Sequence, residues 1–224
     1  MIVAVTGGKG GVGKSTVALN LGSDLDAVVV DADLEMADLP AGRGPDLHDV
    51  LADRADPLEA VRETAGPLLV PCGRTLAGAR AADPTALADA LHRLERVHGA
   101  VVIDSPAGLR SDAGIPLLVA GACVVVTRPT RPALGDAVRA RELARALEAD
   151  LAGVALNRVD DVRTAAVEEV ASLLGGPTTP IPESPALARA QAAGLPVAET
   201  APSTPVAARL ERLASRVHSA LSAR

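Results

Sequence analysis

Six short, mainly apolar runs punctuate the chain, Ile2 to Thr6, Ala27 to Val30, Leu68 to Cys72, Ala100 to Ile103, Ala122 to Thr127 and Gly153 to Leu156, and Thr178 to Ile181 reads as a last short strand. Continuous runs, rather than an alternation of apolar and polar residues, predict strands buried on both faces. Between them the apolar positions recur at helical spacing. A helix begins near Lys14 and carries Val17, Ala18 and Leu21 on one face. A short one, Leu47 to Ala52, follows Asp46 as N-cap. Pro84 to Val97 places Leu87, Leu91 and Leu94 together, with Asp83 and Pro84 as cap and first-turn proline. Pro132 to Glu148, Thr164 to Leu174 (ended by Gly175-Gly176-Pro177), Pro185 to Ala193 and Pro205 to Leu221 complete the set. Leu34 to Gly44 is rich in turn residues. Strands alternating with helices predict a three-layer α/β domain over residues 1–224, with a mostly parallel β-sheet flanked by helices. Ligands of such sheets bind beyond the carboxyl ends of the strands.

The candidate chemistry lies at those ends. After the first strand comes Gly8-Lys9-Gly10-Gly11-Val12-Gly13-Lys14-Ser15-Thr16, which satisfies G-x-x-x-x-G-K-[ST]. The glycines let backbone N–H groups turn inward onto phosphate oxygens, and the helix start adds its partial positive charge. Lys14 is expected to reach the β- and γ-phosphates and the Ser15 hydroxyl to coordinate Mg²⁺. Together these predict a P-loop, Rossmann-like nucleotide-binding fold. Asp104 ends an apolar strand in the manner of a Walker B acid and is the candidate metal holder. Asp31, Asp33 and Asn157 also stand at strand ends.

Composition narrows the field. Of 22 basic residues, only Lys9 and Lys14 are lysine, and both lie in the glycine loop. A compact ammonium suits a crowded phosphate cradle better than a planar guanidinium. The net charge of −6 disfavours nucleic acid as a partner. The chain has no Phe, Tyr or Trp, which excludes base stacking on aromatic platforms and an aromatic membrane belt. Cys72 and Cys123 fit no metal spacing and read as small buried residues; the four histidines fall in no metal-ligand spacing either. The N-terminus carries no signal-peptide pattern. Pro116 to Val126, the longest strongly apolar stretch, is far shorter than the ~18 residues of a membrane span. A cytoplasmic location follows as the expectation, with peripheral membrane attachment left open.

The run from Lys9 to Thr16 resembles the deviant Walker A motif of the MinD/ParA family of ATPases. Asp104-Ser105-Pro106-Ala107-Gly108-Leu109 resembles the family's D-x-P-A-G-L segment. The stretch Asp31 to Leu39 is similar to the first switch of MinD-like proteins, archaeal members above all, and Leu47 to Leu51 is similar to them again. The resemblance implies a Mg-dependent ATPase binding ATP and ADP that pairs into a homodimer in the ATP state. It implies that Lys9 acts across the dimer interface, that Asp33 positions or activates the attacking water, and that Asp31 supports the hydration of Mg²⁺. It further implies an adenine site built from Asn157 with Arg158, and from Pro182 and Glu183 of an I-P-E segment. No N-K-x-D motif is present, which favours ATP over GTP.

Several activities compete under this resemblance: a MinD-like dimerisation switch for cell division or spatial positioning, working with a protein regulator; a ParA-like partitioning ATPase; and an ATP-binding scaffold with negligible turnover. An iron–sulfur carrier would need a C-x-x-C pair, which the chain lacks. Arg128, Arg131, Arg139, Arg141 and Arg145 form a short, broken basic stripe that reads as a solvated helix face. The apolar stripe Val206, Leu210, Leu213, Val217 and Leu221 either packs on the sheet or binds an anionic membrane.

Overall fold

The structure is a computed structural model and describes residues 1–8, 10–34, 39, 43–108, 111–159 and 164–222, without the side chains of 111–113 and 164–165. In chain order the elements are β1 (Ile2–Thr6), α1 (Lys14–Asp24), β2 (Val28–Asp31), α2 (Leu47–Leu51), β3 (Leu69–Val70), α3 (Leu76–Ala81), a 3-10 turn (Pro84–Ala86), α4 (Leu87–His98), β4 (Val101–Asp104), α5 (Ser111–Val119), β5 (Ala122–Thr127), α6 (Arg131–Ala146), β6 (Asp150–Val159), α7 (Thr164–Leu174), β7 (Thr178–Pro182), α8 (Pro185–Ala192), α9 (Val197–Thr200) and α10 (Pro205–Ser222).

All seven strands join one sheet in the order β3-β2-β4-β1-β5-β6-β7, and every neighbouring pair is parallel. The sheet is thus wholly parallel, a step beyond the mostly parallel one expected. β1 sits near its middle. The chain builds outward on one side through β2 and β3, returns to β4, then crosses to β5 on the other side. The carboxyl ends of β1, β2 and β4 consequently meet at one place.

Burial on both faces explains the continuous apolar runs. Val3 and Val5 of β1 point into one core with Val17 and Leu21 of α1 and Leu210, Leu213 and Val217 of α10. Ile2 and Ala4 point into the other with Leu91 and Leu94 of α4, Leu117 of α5 and Ala137 and Ala144 of α6. The small side chains on the buried face of α6, Ala133, Ala137, Ala140 and Ala144, occupy the positions that face the sheet. The C-terminal apolar stripe is buried in this way: Val206, Leu210, Leu213 and Val217 are at most 1% exposed. Of the two alternatives for that stripe, packing on the sheet is the one realised, so its apolar face is not available to a bilayer.

Several elements depart from expectation. The apolar stretch Pro116 to Val126 is two elements, the end of α5 and all of β5, divided at Ala120-Gly121. Pro116 lies inside α5, where proline removes a helical hydrogen bond. α3, with Thr75 as its cap, and the four-residue α9 also lacked a periodic signal. β6 runs longer than Gly153 to Leu156, because it pairs along its length with β5 and β7.

Candidate functional site

The glycine loop leaves β1 and enters α1 through Gly13, whose φ of 103° is the left-handed conformation glycine favours. A Cβ there would lie 2.1 Å from Asn157 Nδ2, and one on Gly7 would lie 2.6 Å from the Val126 carbonyl oxygen. The loop is thus held tightly from below. On its other side the ideal Cβ positions of Gly10 and Gly11 meet no atom within 4 Å, and both residues are exposed. Gly8 approaches the backbone of Asp136 in α6. The start of α1 has no side-chain cap and no acidic residue in its first turn, so its N–H groups and partial positive charge face the loop. Lys14 is only 6% exposed, and among the described residues no carboxylate forms an ion pair with it. A sheltered ammonium is stable only beside negative charge, so an anionic ligand fits this pocket. Ser15 is half-buried beside it and Thr16 is buried. Lys9 lies outside the described residues, as do residues 35–38, including Asp38.

Two acids close the neighbouring end of the sheet. Asp31 of β2 and Asp104 of β4 are direct register partners, at 0% and 1% exposure. Burial, and then the charge of Asp104, hold the Asp31 carboxyl well above the usual carboxylate range. Asp31 also organises the segment that follows it: Oδ1 accepts from the Asp33 N–H (3.2 Å) and Oδ2 from the Leu39 N–H (3.3 Å). Two buried carboxylates side by side repel, and a divalent cation between them and the phosphates would relieve that repulsion. The donor set, all oxygen, suits Mg²⁺. Asp33 is half-buried, just past the strand end. Gly108, at φ 95°, has no atom within 4 Å of its Cβ position.

The expected base site gathers at the far end of the same edge. Asn157 pairs with Ile181 across β6 and β7, and the register shifts between Asn157 and Val159. Arg158, at φ 56°, occupies that irregularity with its side chain exposed. Pro182 pairs with Val159, and the Glu183 N–H donates to the Val159 carbonyl at 3.4 Å. The Asn157 amide, however, does not stand open as a donor–acceptor pair. Its Nδ2 donates to the Val12 carbonyl at 2.8 Å and its Oδ1 accepts from the Arg158 N–H at 2.9 Å. One amide hydrogen remains for a base. Asn157 is first a brace for the phosphate loop.

Sequence reasoning missed two residues here. Cys72 is buried, as expected, yet its Sγ–H donates to the Asp33 carbonyl at 3.0 Å. Burial, then the charges of Asp31 and Asp33, push this thiol well up, so it remains an S–H donor. His48, 3% exposed, places Nε2 3.1 Å from the Leu34 carbonyl and 3.5 Å from Cys72 Sγ. The available signal was topological: Cys72 follows β3, and β3 lies beside β2, which ends at Asp31. Elsewhere, Arg139 pairs with Asp136 at 3.0 Å, which shortens the basic stripe of α6 further.

Residues 3–197 match the model of the CobQ/CobB/MinD/ParA nucleotide binding domain. The chain belongs to this family. Among MinD/ParA relatives, it is 31% identical to an uncharacterised ATP-binding protein of Methanocaldococcus jannaschii, over 96% of this chain and 86% of that one. It superimposes on the cell division ATPase MinD of Pyrococcus furiosus with a TM-score of 0.89 and 28% identity, over 98% of both chains. For the septum site-determining protein MinD of Pyrococcus horikoshii, solved with Mg-ADP, the TM-score is 0.90 at 27% identity, covering 99% and 97%. The wholly parallel sheet is the MinD/ParA fold. Among the described residues, no helix is long and apolar enough to cross a membrane.

Proposed function

We propose that this MinD/ParA-family protein binds Mg-ATP at the glycine loop, hydrolyses it slowly to ADP and phosphate, and uses the cycle as a dimerisation switch in cell division or spatial positioning. The observation that carries the reading is the sheltered Lys14 ammonium at the open glycine loop, with the in-register acids Asp31 and Asp104 at the neighbouring strand ends. The sheltered ammonium and the in-register acid pair are complementary halves of one Mg-nucleotide site.

In this reading Lys14 and the N–H groups at the start of α1 hold the β- and γ-phosphates. Ser15 and Asp104 would hold Mg²⁺, with Asp31 supporting its water shell; the ion would supply charge neutralisation at the phosphates. Asp33 accepts a hydrogen bond from the attacking water and orients it. Lys9, outside the described residues, reaches the partner copy's nucleotide. Asn157, Arg158, Pro182 and Glu183 border the adenine. The Mg-ADP complex of the Pyrococcus horikoshii relative supports the choice of nucleotide.

Calorimetry with Mg-ATP on the wild type and Lys14→Ala, joined to a phosphate-release assay on the wild type and Asp33→Ala, tests this. Heat of binding that Lys14→Ala abolishes, and turnover that falls at least roughly tenfold in Asp33→Ala, are expected. A wild type that neither binds nor cleaves ATP overturns the reading; one that binds without cleavage reduces it to a scaffold.

A further inference from the structure

His48 and Cys72 come from different elements and converge on one short piece of backbone. His48 is the second residue of α2; Cys72 lies two residues beyond β3. The Leu34 carbonyl can only accept, so His48 Nε2, 3.1 Å away, carries the ring proton. The Cys72 thiol proton goes to the Asp33 carbonyl, and its sulfur lone pair faces His48 Nε2 at 3.5 Å. Two consecutive carbonyls, those of Asp33 and Leu34, are therefore held by two buried side chains. The Asp31 carboxylate also holds Asp33, through its N–H.

The pocket is built to admit the imidazole. A Cβ on Gly73, which sits at φ 116°, would lie 2.4 Å from His48 Nδ1, and one on Gly78 would lie 3.0 Å away. Asp46, whose carboxylate accepts from the Asp49 N–H at 3.2 Å and whose own N–H donates to the Asp49 carboxylate at 3.3 Å, fixes the start of α2 and with it the ring. Nδ1 is buried and has no partner among the described residues. The ring is thus oriented by packing, and the polar contacts of Nε2 go to Leu34 and to Cys72. The two side chains thus end on Leu34 and Asp33, the residues that the proposed function places beside the γ-phosphate.

We infer that His48 and Cys72 are positioning residues for hydrolysis: by fixing the Asp33 and Leu34 carbonyls they set where the Asp33 carboxylate meets water. This rests on the role proposed for Asp33. Both side chains are buried and neither belongs to the glycine loop, so loss of either should slow turnover and leave binding at that loop intact.

The experiment measures kcat and KM for ATP, together with the Mg-ATP Kd by calorimetry, in wild type, His48→Ala, His48→Gln, Cys72→Ala and Cys72→Ser. Glutamine carries its amide N–H where Nε2 stood, and serine keeps a donor for the Asp33 carbonyl. The alanine variants should lose roughly 2- to 10-fold in kcat, the worth of one net hydrogen bond. Their KM and Kd should stay within about twofold, and the Gln and Ser variants should recover most of the rate. If the alanine variants do not fold, His48→Asn against His48→Gln asks the same question, because the asparagine amide stops short of Leu34. Thiol labelling in a Cys123→Ala background adds a readout free of turnover: Cys72 should react faster once His48 is replaced by alanine. Alanine variants with wild-type kcat, parallel loss of kcat and Kd, or no rescue by Gln and Ser would overturn the positioning role alone. A wild type that releases no phosphate overturns this role and the ATPase reading together.

Discussion

Asn157 joins two halves of the site through a single amide. Its N–H ends on the carbonyl of Val12, itself only 3% exposed, and Gly13 lies against its nitrogen. Truncation to alanine leaves that carbonyl buried without a donor, which costs about 1–3 kcal/mol. Asn157→Ala should therefore unfold at lower urea and bind Mg-ATP more weakly. Asn157→Asp should separate the two effects. A carboxylate oxygen would face the Val12 carbonyl, and its charge would oppose the phosphates. Calorimetry should show a larger loss of Mg-ATP affinity for the aspartate than for the alanine variant; equal losses would remove the electrostatic part of the argument. At this scale the chain announces its chemistry unevenly. The places of Lys14, Asp31 and Asp104 were legible because a glycine loop after a buried strand, and acids that end apolar runs, mark the carboxyl edge of a parallel sheet. The brace made by Asn157 was not, since a strand-end asparagine looks the same whether it faces a ligand or a neighbouring loop. His48 and Cys72 were hidden for a related reason: their meaning comes from the adjacency of β3 to β2, which sequence distance does not encode.

Among elements, α1 and α10 set the face behind the phosphate loop, and their contact carries a charge conflict. Asp24 closes the last turn of α1, where the helix dipole disfavours an anion, and the Glu211 side of α10 lies opposite in a cavity of about 700 Å³. Burial, then Glu211, raise the Asp24 carboxyl from 3.8 to about 6. A folded-state value above the unfolded one means that the folded protein binds the proton more tightly. Stability from this site is thus greatest below about pH 4 and declines as pH rises through about 6. Asp24→Asn should melt higher than wild type at pH 8 and equally at pH 3.5. Solvent screening of this surface acid keeps the gain to about 1 kcal/mol or less. Identical gains at both pH values would mean that the asparagine acts through packing. Element boundaries were readable wherever burial on two faces or a helical stripe left a periodic trace, as in β5 and α10. α3 has little apolar surface to bury, so it left no trace. α5 keeps Pro116 inside it, and its apolar residues Ile115, Leu117 and Val119 pack into the core around it.

For the whole molecule, the described residues cover the phosphate loop on one side only. Gly10 and Gly11 stand exposed, with open space above them, while β1, α1 and Asn157 close the loop from below. Hydrolysis at a site so open would proceed in bulk water, where the fields of Lys14 and the helix start are weakest. In the proposed switch, a second copy laid face to face over the loop would supply the missing cover and so tie pairing to catalysis. The charge of the chain opposes that pairing: each copy carries −6, and two such bodies repel. Neutralisation at the site therefore has to come from Mg²⁺ and lysine, and salt should assist. Asp33→Ala, with turnover removed, should sediment as a pair with Mg-ATP and as a monomer with Mg-ADP or without nucleotide. Lys14→Ala should stay monomeric throughout. The ATP-bound pair should tighten as ionic strength rises from about 0.01 to 0.15 M, because the screening length shrinks from roughly 30 to 8 Å. A monomer under every condition would break the link between ATP and dimerisation. A pair that weakens with added salt would instead mean that opposite charges, not the closing of the phosphate site, hold the two copies together.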